Sequence, residues 1–105
     1  MTAITIREDL RNIRYYYSRK DIFDKATSAV GENLILEKTS LYHEAVCFAS
    51  PRLYDLYVSL YLQNNTQESL SDKLGYSIEH VSRLNSQLIR FFQKYFNEKE
   101  KIKNE

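Results

Sequence analysis

The chain has 105 residues, 43% of them hydrophobic and 28% charged, with two glycines and one proline; this suffices for one modest core, is too little for two, and is far from a disordered composition. With Gly31, Gly75 and Pro51 as its only such punctuation, a many-stranded sheet is hard to turn, and an all-α fold of about five helices is expected. The formal net charge of +1 argues neither for nor against nucleic acid.

The charge is spread unevenly: residues 3–25 carry six basic and four acidic side chains, residues 31–62 two and four, and residues 66–96 four and three. No 18-residue apolar run suits a membrane span, and the Met1 start lacks the basic-then-apolar pattern of a secretory leader, so no membrane partner and a cytoplasmic location are expected. Cys47, the single cysteine, rules out an internal disulfide or a thiolate zinc cluster. Its neighbours Ala45, Val46, Phe48 and Ala49 suggest a buried thiol. His43 and His80 stand far apart without ligand partners, so neither a metal nor a cofactor is expected. Nor is an enzyme expected, because no phosphate-cradling glycine loop or nucleophile setting occurs and Glu68 with Asp72 reads as an exposed acidic pair.

In chain order, residues 4–30 predict a long first helix, kinked near Lys20, with Ile6, Leu10, Ile13 and Tyr17 inward and Phe23, Ala26 and Val30 continuing a drifting stripe. Arg7, Arg11, Arg14 and Arg19 occupy its other face, either as a solvated surface or as contacts to a DNA backbone. Gly31 suits a left-handed cap, and a second helix is expected over residues 32–49 with Leu34, Leu41, Ala45 and Phe48 inward. Ser50 and Pro51 form a cap and first-turn pair for a third helix over residues 51–62, burying Leu53, Leu56, Tyr57 and Leu60. The polar break Gln63, Asn64, Asn65 precedes Thr66, which can cap a fourth helix over residues 67–74. Gly75 ends that helix, and Ser77 caps a fifth along which Val81, Leu84, Leu88, Phe91 and Tyr95 share one face. Residues 1–49 thus read as a helical pair, 50–96 as the unit that carries function, and 97–105 as a charged tail that frays.

Within residues 66–87 the pattern suits a helix-turn-helix: Leu70 inward, small Ser71 where two helices cross closely, Gly75 at the turn, and Leu74, Val81 and Leu84 filling the core. An ordinary helical corner is the simpler alternative, and Tyr76 is larger than the motif favours. Helix geometry then turns Ser77, Ile78, Glu79, His80, Ser82, Arg83, Ser86 and Gln87 outward. Arg can grip guanine bidentately, Gln can do so with adenine, and Arg83 leads as a base reader. Thr66, Gln67 and Ser69 open the short helix that crosses the backbone, where phosphate hydrogen bonds are expected.

The stretch SPRLYDLYVSLYLQNNTQESLSDKLGYSIEHVSRLNSQLIRFF resembles region four of bacterial sigma factors and related phage regulators. The whole chain, including IRYYYSRKDIFDKA, is similar to short prophage and integrative-element proteins of Gram-positive bacteria, some grouped with the ArpU and RinA late-gene activators. The resemblance implies a DNA-binding transcriptional regulator of mobile-element genes, with double-stranded DNA as partner and RNA polymerase as a further candidate. The alternative is a helical protein-protein interaction module without DNA readout. It draws on the weak net charge and on Ile89, Phe92 and Phe96, a second apolar stripe that either packs on the first helix or joins a homodimer whose reading helices would stand roughly 34 Å apart.

Overall fold

Thr2 opens the first helix by accepting the Thr5 N–H on its hydroxyl at 3.2 Å, and α1 follows as Ala3–Ser18. The computed structural model describes residues 1–20 and 32–103. After α1 come α2 (Glu32–Val46), α3 (Pro51–Tyr57, continued by a π-helical turn over Val58–Leu62), α4 (Gln67–Leu74) and α5 (Ile78–Lys103). Five helices and no strand among the described residues make the fold all-α. None of these helices is long and apolar enough to cross a membrane.

α1 buries Ile6, Leu10, Ile13 and Tyr16, whereas Tyr17, the expected fourth member, is only half-buried beside the core. The helix stops at Ser18, because Arg19 leaves helical dihedrals. Phe23, Ala26 and Val30, and the cap expected at Gly31, lie outside the described residues.

The inward face of α2 differs from the expected one. Leu41 and Phe48 are 38% and 70% exposed, while Thr39, Tyr42, Ala45 and Val46 are buried; the side chain of Leu34 lies outside the described residues. Tyr42 explains the rotation. Its ring meets Phe92 and Phe96 edge-on at 4.9 and 5.0 Å between centroids, and its hydroxyl donates to Asp9 Oδ2 at 2.7 Å. One large ring with its polar tip satisfied outweighs the purely apolar Leu41 and Phe48. The other carboxylate oxygen of Asp9 meets Lys38 Nζ at 3.1 Å, tying α1 to α2 twice. Because α2 ends at Val46, Cys47 falls in the following turn and is exposed, not a buried thiol; its Sγ donates to the His43 carbonyl at 3.2 Å.

Ser50 caps α3 by accepting the Leu53 N–H, and Pro51 takes the first helical position as expected. The helix does not run on regularly to residue 62. Its last turn widens, with the Gln63 N–H donating to the Val58 carbonyl at 2.9 Å. In that turn Leu60 is buried and the Tyr61 hydroxyl donates to Asn85 Oδ1 at 2.5 Å, joining α3 to α5.

α5 is the longest element. Val81, Leu84 and Leu88 face the core as expected, but Phe91 and Tyr95 are only partly covered, and Ile89, Phe92 and Phe96 are buried instead. That second stripe is covered within the chain by Tyr42 and by Tyr57, whose ring lies 5.9 Å from Phe92. The segment expected to fray also differs, since α5 continues to Lys103. The Met1 ammonium donates to Asn97 Oδ1 at 2.6 Å and lies 3.8 Å from Glu100, and Lys99 meets Glu44 at 3.4 Å, so the last turns are held from two sides.

Beneath α3, the His43 ring stands edge-on to Tyr57 at 5.6 Å, with its Nε2 buried and unpartnered among the described residues. Burial pulls the His43 pKa below the ordinary histidine value, because the charged ring would lose its hydration there. Unfolded His43 titrates at about 6.5, so below that pH the unfolded chain binds more protons and stability falls. The melting temperature is expected to drop from about pH 7.5 to about pH 5.5. In a His43→Phe variant, which keeps a ring against Tyr57, calorimetry over the same window should show a smaller drop.

Candidate nucleic-acid interface

The loop leading into α4 is rigidly pinned. Asn64 adopts a left-handed backbone conformation (φ 59°), which asparagine tolerates better than most residues. With its amide oriented to satisfy both neighbours, Asn64 donates to the Arg14 carbonyl at 3.2 Å and accepts the Ser18 N–H at 3.3 Å, closing the end of α1. Arg14 Nη2 in turn donates to the Asn64 carbonyl at 3.4 Å. Asn65 donates to the Ser59 carbonyl through both its backbone and its amide, and accepts from Lys73 Nζ at 2.7 Å.

Thr66 then caps α4. Its hydroxyl accepts the Ser69 N–H at 2.9 Å, and Ser69 Oγ returns the favour by accepting the Thr66 N–H at 3.0 Å. This reciprocal box changes what the two hydroxyls offer an outside anion. Ser69 Oγ also donates to the Thr66 carbonyl at 3.1 Å, so its only hydrogen is engaged within the cap. Thr66 keeps its own hydroxyl hydrogen for a partner, and Gln67 stands half-exposed beside it.

α4 ends where glycine permits it. Gly75 has φ 71° and ψ 24°, and its N–H donates to the Ser71 carbonyl. Leu70 and Ser71 are buried at 4% exposure each, and Ser71 Oγ donates to the Glu68 carbonyl at 2.7 Å, so its polar atom is satisfied where α4 and α5 pack together. Val81 and Leu84 complete this contact from α5. Leu74 does not: it is 51% exposed, because Gly75 turns the chain immediately after it and the space beneath is floored by Leu56, Leu70 and Leu84.

Ser77 accepts the His80 N–H at 3.1 Å and starts α5, keeping its hydroxyl hydrogen for donation. Ile78, Glu79, Ser82, Arg83 and Gln87 are exposed, while His80 and Ser86 are half-buried. Tyr76 packs edge-on against His80 at 4.6 Å, which accommodates the large residue after the glycine and partly covers that imidazole. The Ser86 carbonyl accepts from Arg90 Nε at 3.4 Å, folding that arginine along the helix. No hydrogen bond or ion pair with another described residue engages Arg83, so its guanidinium is available to a ligand. Thus the start of α5 gathers Ser77, Ile78, Glu79, Ser82, Arg83 and Gln87 on one outward surface, with Thr66 and Gln67 at the neighbouring mouth of α4.

Residue spacing does not announce the Tyr61–Asn85 bond or the Asn64 clamp. Asn85, four residues after Val81 and four before Ile89 on one helix face, is the available signal, because a buried amide at such a position requires a partner. No protein-family model, curated protein or solved structure matches the chain.

Gly75 offers a direct check of the turn. A methyl group there would meet nothing within 4 Å, so the penalty of Gly75→Ala is conformational and not steric. Denaturant unfolding should show a loss of about 1–2 kcal/mol for Gly75→Ala and a smaller loss for Gly75→Asn.

Proposed function

We propose that α4, the turn over residues 75–77 and α5 act as a helix-turn-helix that binds duplex DNA, with α5 entering the major groove. The observation that carries this reading is the division of α5 into two faces. Val81, Leu84 and Leu88 are buried, while Ser77, Ile78, Glu79, Ser82, Arg83 and Gln87 are left to solvent in the same turns. An exposed surface of this kind has matched chemistry for base edges: Arg83 for guanine, Gln87 for adenine, Glu79 for the cytosine amine, and Ser82 and Ser86 for either base or phosphate. Ile78 can meet a thymine methyl. Thr66, Gln67 and Ser77 supply phosphate contacts beside it, whereas Ser69 serves the α4 cap. His80 contributes a partly covered edge.

On this reading the protein is a transcriptional regulator acting in the cytoplasm, and its likeness in sequence to sigma region four and to ArpU-like and RinA-like regulators supports a role in mobile-element gene control. A homodimer on a palindromic site would have to use a face other than Ile89, Phe92 and Phe96, since these are buried inside the monomer. Anisotropy titration against a duplex from upstream of its own gene tests the reading. Arg83→Ala should weaken specific binding by about 1–3 kcal/mol while leaving binding to a random duplex nearly unchanged. Equal affinity of parent and variant for the site would remove Arg83 from the reading set.

One observation favours a second reading, a protein-docking module. Leu74, Tyr76 and Ile78 are 51%, 42% and 50% exposed around the turn, beside a cleft of about 280 Å³. RNA polymerase is the partner that the sigma-like sequence suggests. Leu74→Ser is expected to leave DNA affinity unchanged. Purified polymerase retained by the parent but lost by Leu74→Ser, with no DNA retained by either, would select the docking reading.

A further inference from the structure

Apart from Glu8, which is exposed between them, the charged side chains of α1 are sorted by flank. Arg7, Arg11 and Arg14 stand four and then three residues apart and so share one flank of the helix, beside the buried line of Ile6, Leu10 and Ile13. Asp9 lies on the opposite flank, where both its oxygens are taken by Tyr42 and Lys38. No carboxylate among the described residues pairs with any of the three arginines. Glu8, three residues before Arg11, makes no ion pair with it, so the three aligned charges still repel one another, and an arriving anion would relieve that repulsion.

This flank is also fixed in position relative to the surface on α5. Arg14 bonds to the Asn64 carbonyl, and Asn64 clamps the end of α1 onto the loop that runs directly into Thr66 and α4. Tyr61, four residues before that loop's Asn65, donates to Asn85 on α5. Both Arg7 and Arg14 act electrostatically on the Tyr61 hydroxyl, opposing the rise that burial imposes on its pKa. At the other end of α1, Met1 is bonded to Asn97 and faces Glu100. The start of the chain is therefore bonded to α5 directly and the end of α1 is tied to it through the loop and the last turn of α3, with Arg7 and Arg11 exposed between them.

We propose that Arg7, Arg11 and Arg14 form a phosphate-binding rail that contacts the DNA backbone alongside the segment lying under α5. The proposal rests on the DNA reading above and extends it to the N-terminal half of the chain. The rail supplies sequence-independent affinity, and the α5 surface supplies discrimination. It also accounts for a DNA-binding chain with a net charge of only +1: the positive charge is concentrated on the edge that faces the ligand.

The test is the salt dependence of binding by the full chain, read by anisotropy with the upstream duplex and with a random duplex between about 50 and 200 mM salt. Arg7→Gln combined with Arg11→Gln removes two exposed charges without touching the Asn64 clamp, and circular dichroism checks that the helices are retained. The slope of log K against log salt should flatten by about 1.8 on both duplexes, while their affinity ratio stays as in the parent. Arg19→Gln, a charge lying over the Tyr15 ring beyond the end of α1, should leave the slope as it is. If the parent binds and the double variant keeps the parent slope, the rail is overturned and the reading on α5 survives. A slope lowered equally by Arg19→Gln also overturns it, because net charge alone would then be responsible. If the parent binds neither duplex, the DNA reading itself fails and the rail with it.

Discussion

Tyr42 is the point at which three helices are held at once. Its ring lies edge-on against Phe92 and Phe96 of α5, and its hydroxyl reaches out of that apolar contact to Asp9 of α1, while its backbone belongs to α2. A phenylalanine there would fill the same space but leave Asp9 beside Lys38 alone. Burial and the neighbouring carboxylate both push the Tyr42 hydroxyl pKa far up, so it stays a donor throughout the ordinary pH range. Because Tyr42 covers Phe92 and Phe96, the inward face of α5 is satisfied inside the monomer. Its outward face is what remains for a partner.

That division explains how much could be read from the residues. The ends of α3 and α4 were legible because each is written in local chemistry: Ser50 with Pro51, Thr66 as a cap, and Gly75 at a backbone angle that other residues resist. The buried line of α1 was legible for a similar reason, since Ile6, Leu10 and Ile13 repeat at helical spacing. Choices that depend on distant partners were not legible. The rotation of α2 follows from Tyr42 meeting Asp9, thirty-three residues away in sequence, and spacing alone favoured Leu41 and Phe48. The final turns of α5 looked like a charged tail, yet Met1 and Glu44 hold them from outside the helix.

The candidate site shows the same contrast. Exposure of Ser77, Ile78, Glu79, Ser82, Arg83 and Gln87 follows from the period of α5, whereas helical spacing turns Leu74 inward and Gly75 ends the helix before it can pack. Ser69 looked available to an anion, and the reciprocal cap uses its hydrogen instead. The widened turn at Val58–Leu62 left no mark in the residue pattern, although it accompanies the Tyr61 bond to Asn85 that joins α3 to α5. Local capping chemistry is spelled out by neighbours, whereas long-range polar bonds are visible only after the chain has folded.

The length of α5 has a mechanical consequence. Its 26 residues extend over about 39 Å as one unbroken rod. The first third shows one face to solvent and packs its other face on α4, while the remainder is gripped by α1, α2 and α3, so a load applied to the exposed face is borne by the aromatic centre like a beam set in a wall. Softening that anchorage would blur the aim of the exposed end even with every surface residue intact. Substitutions far from the tip can therefore displace it as surely as substitutions on it.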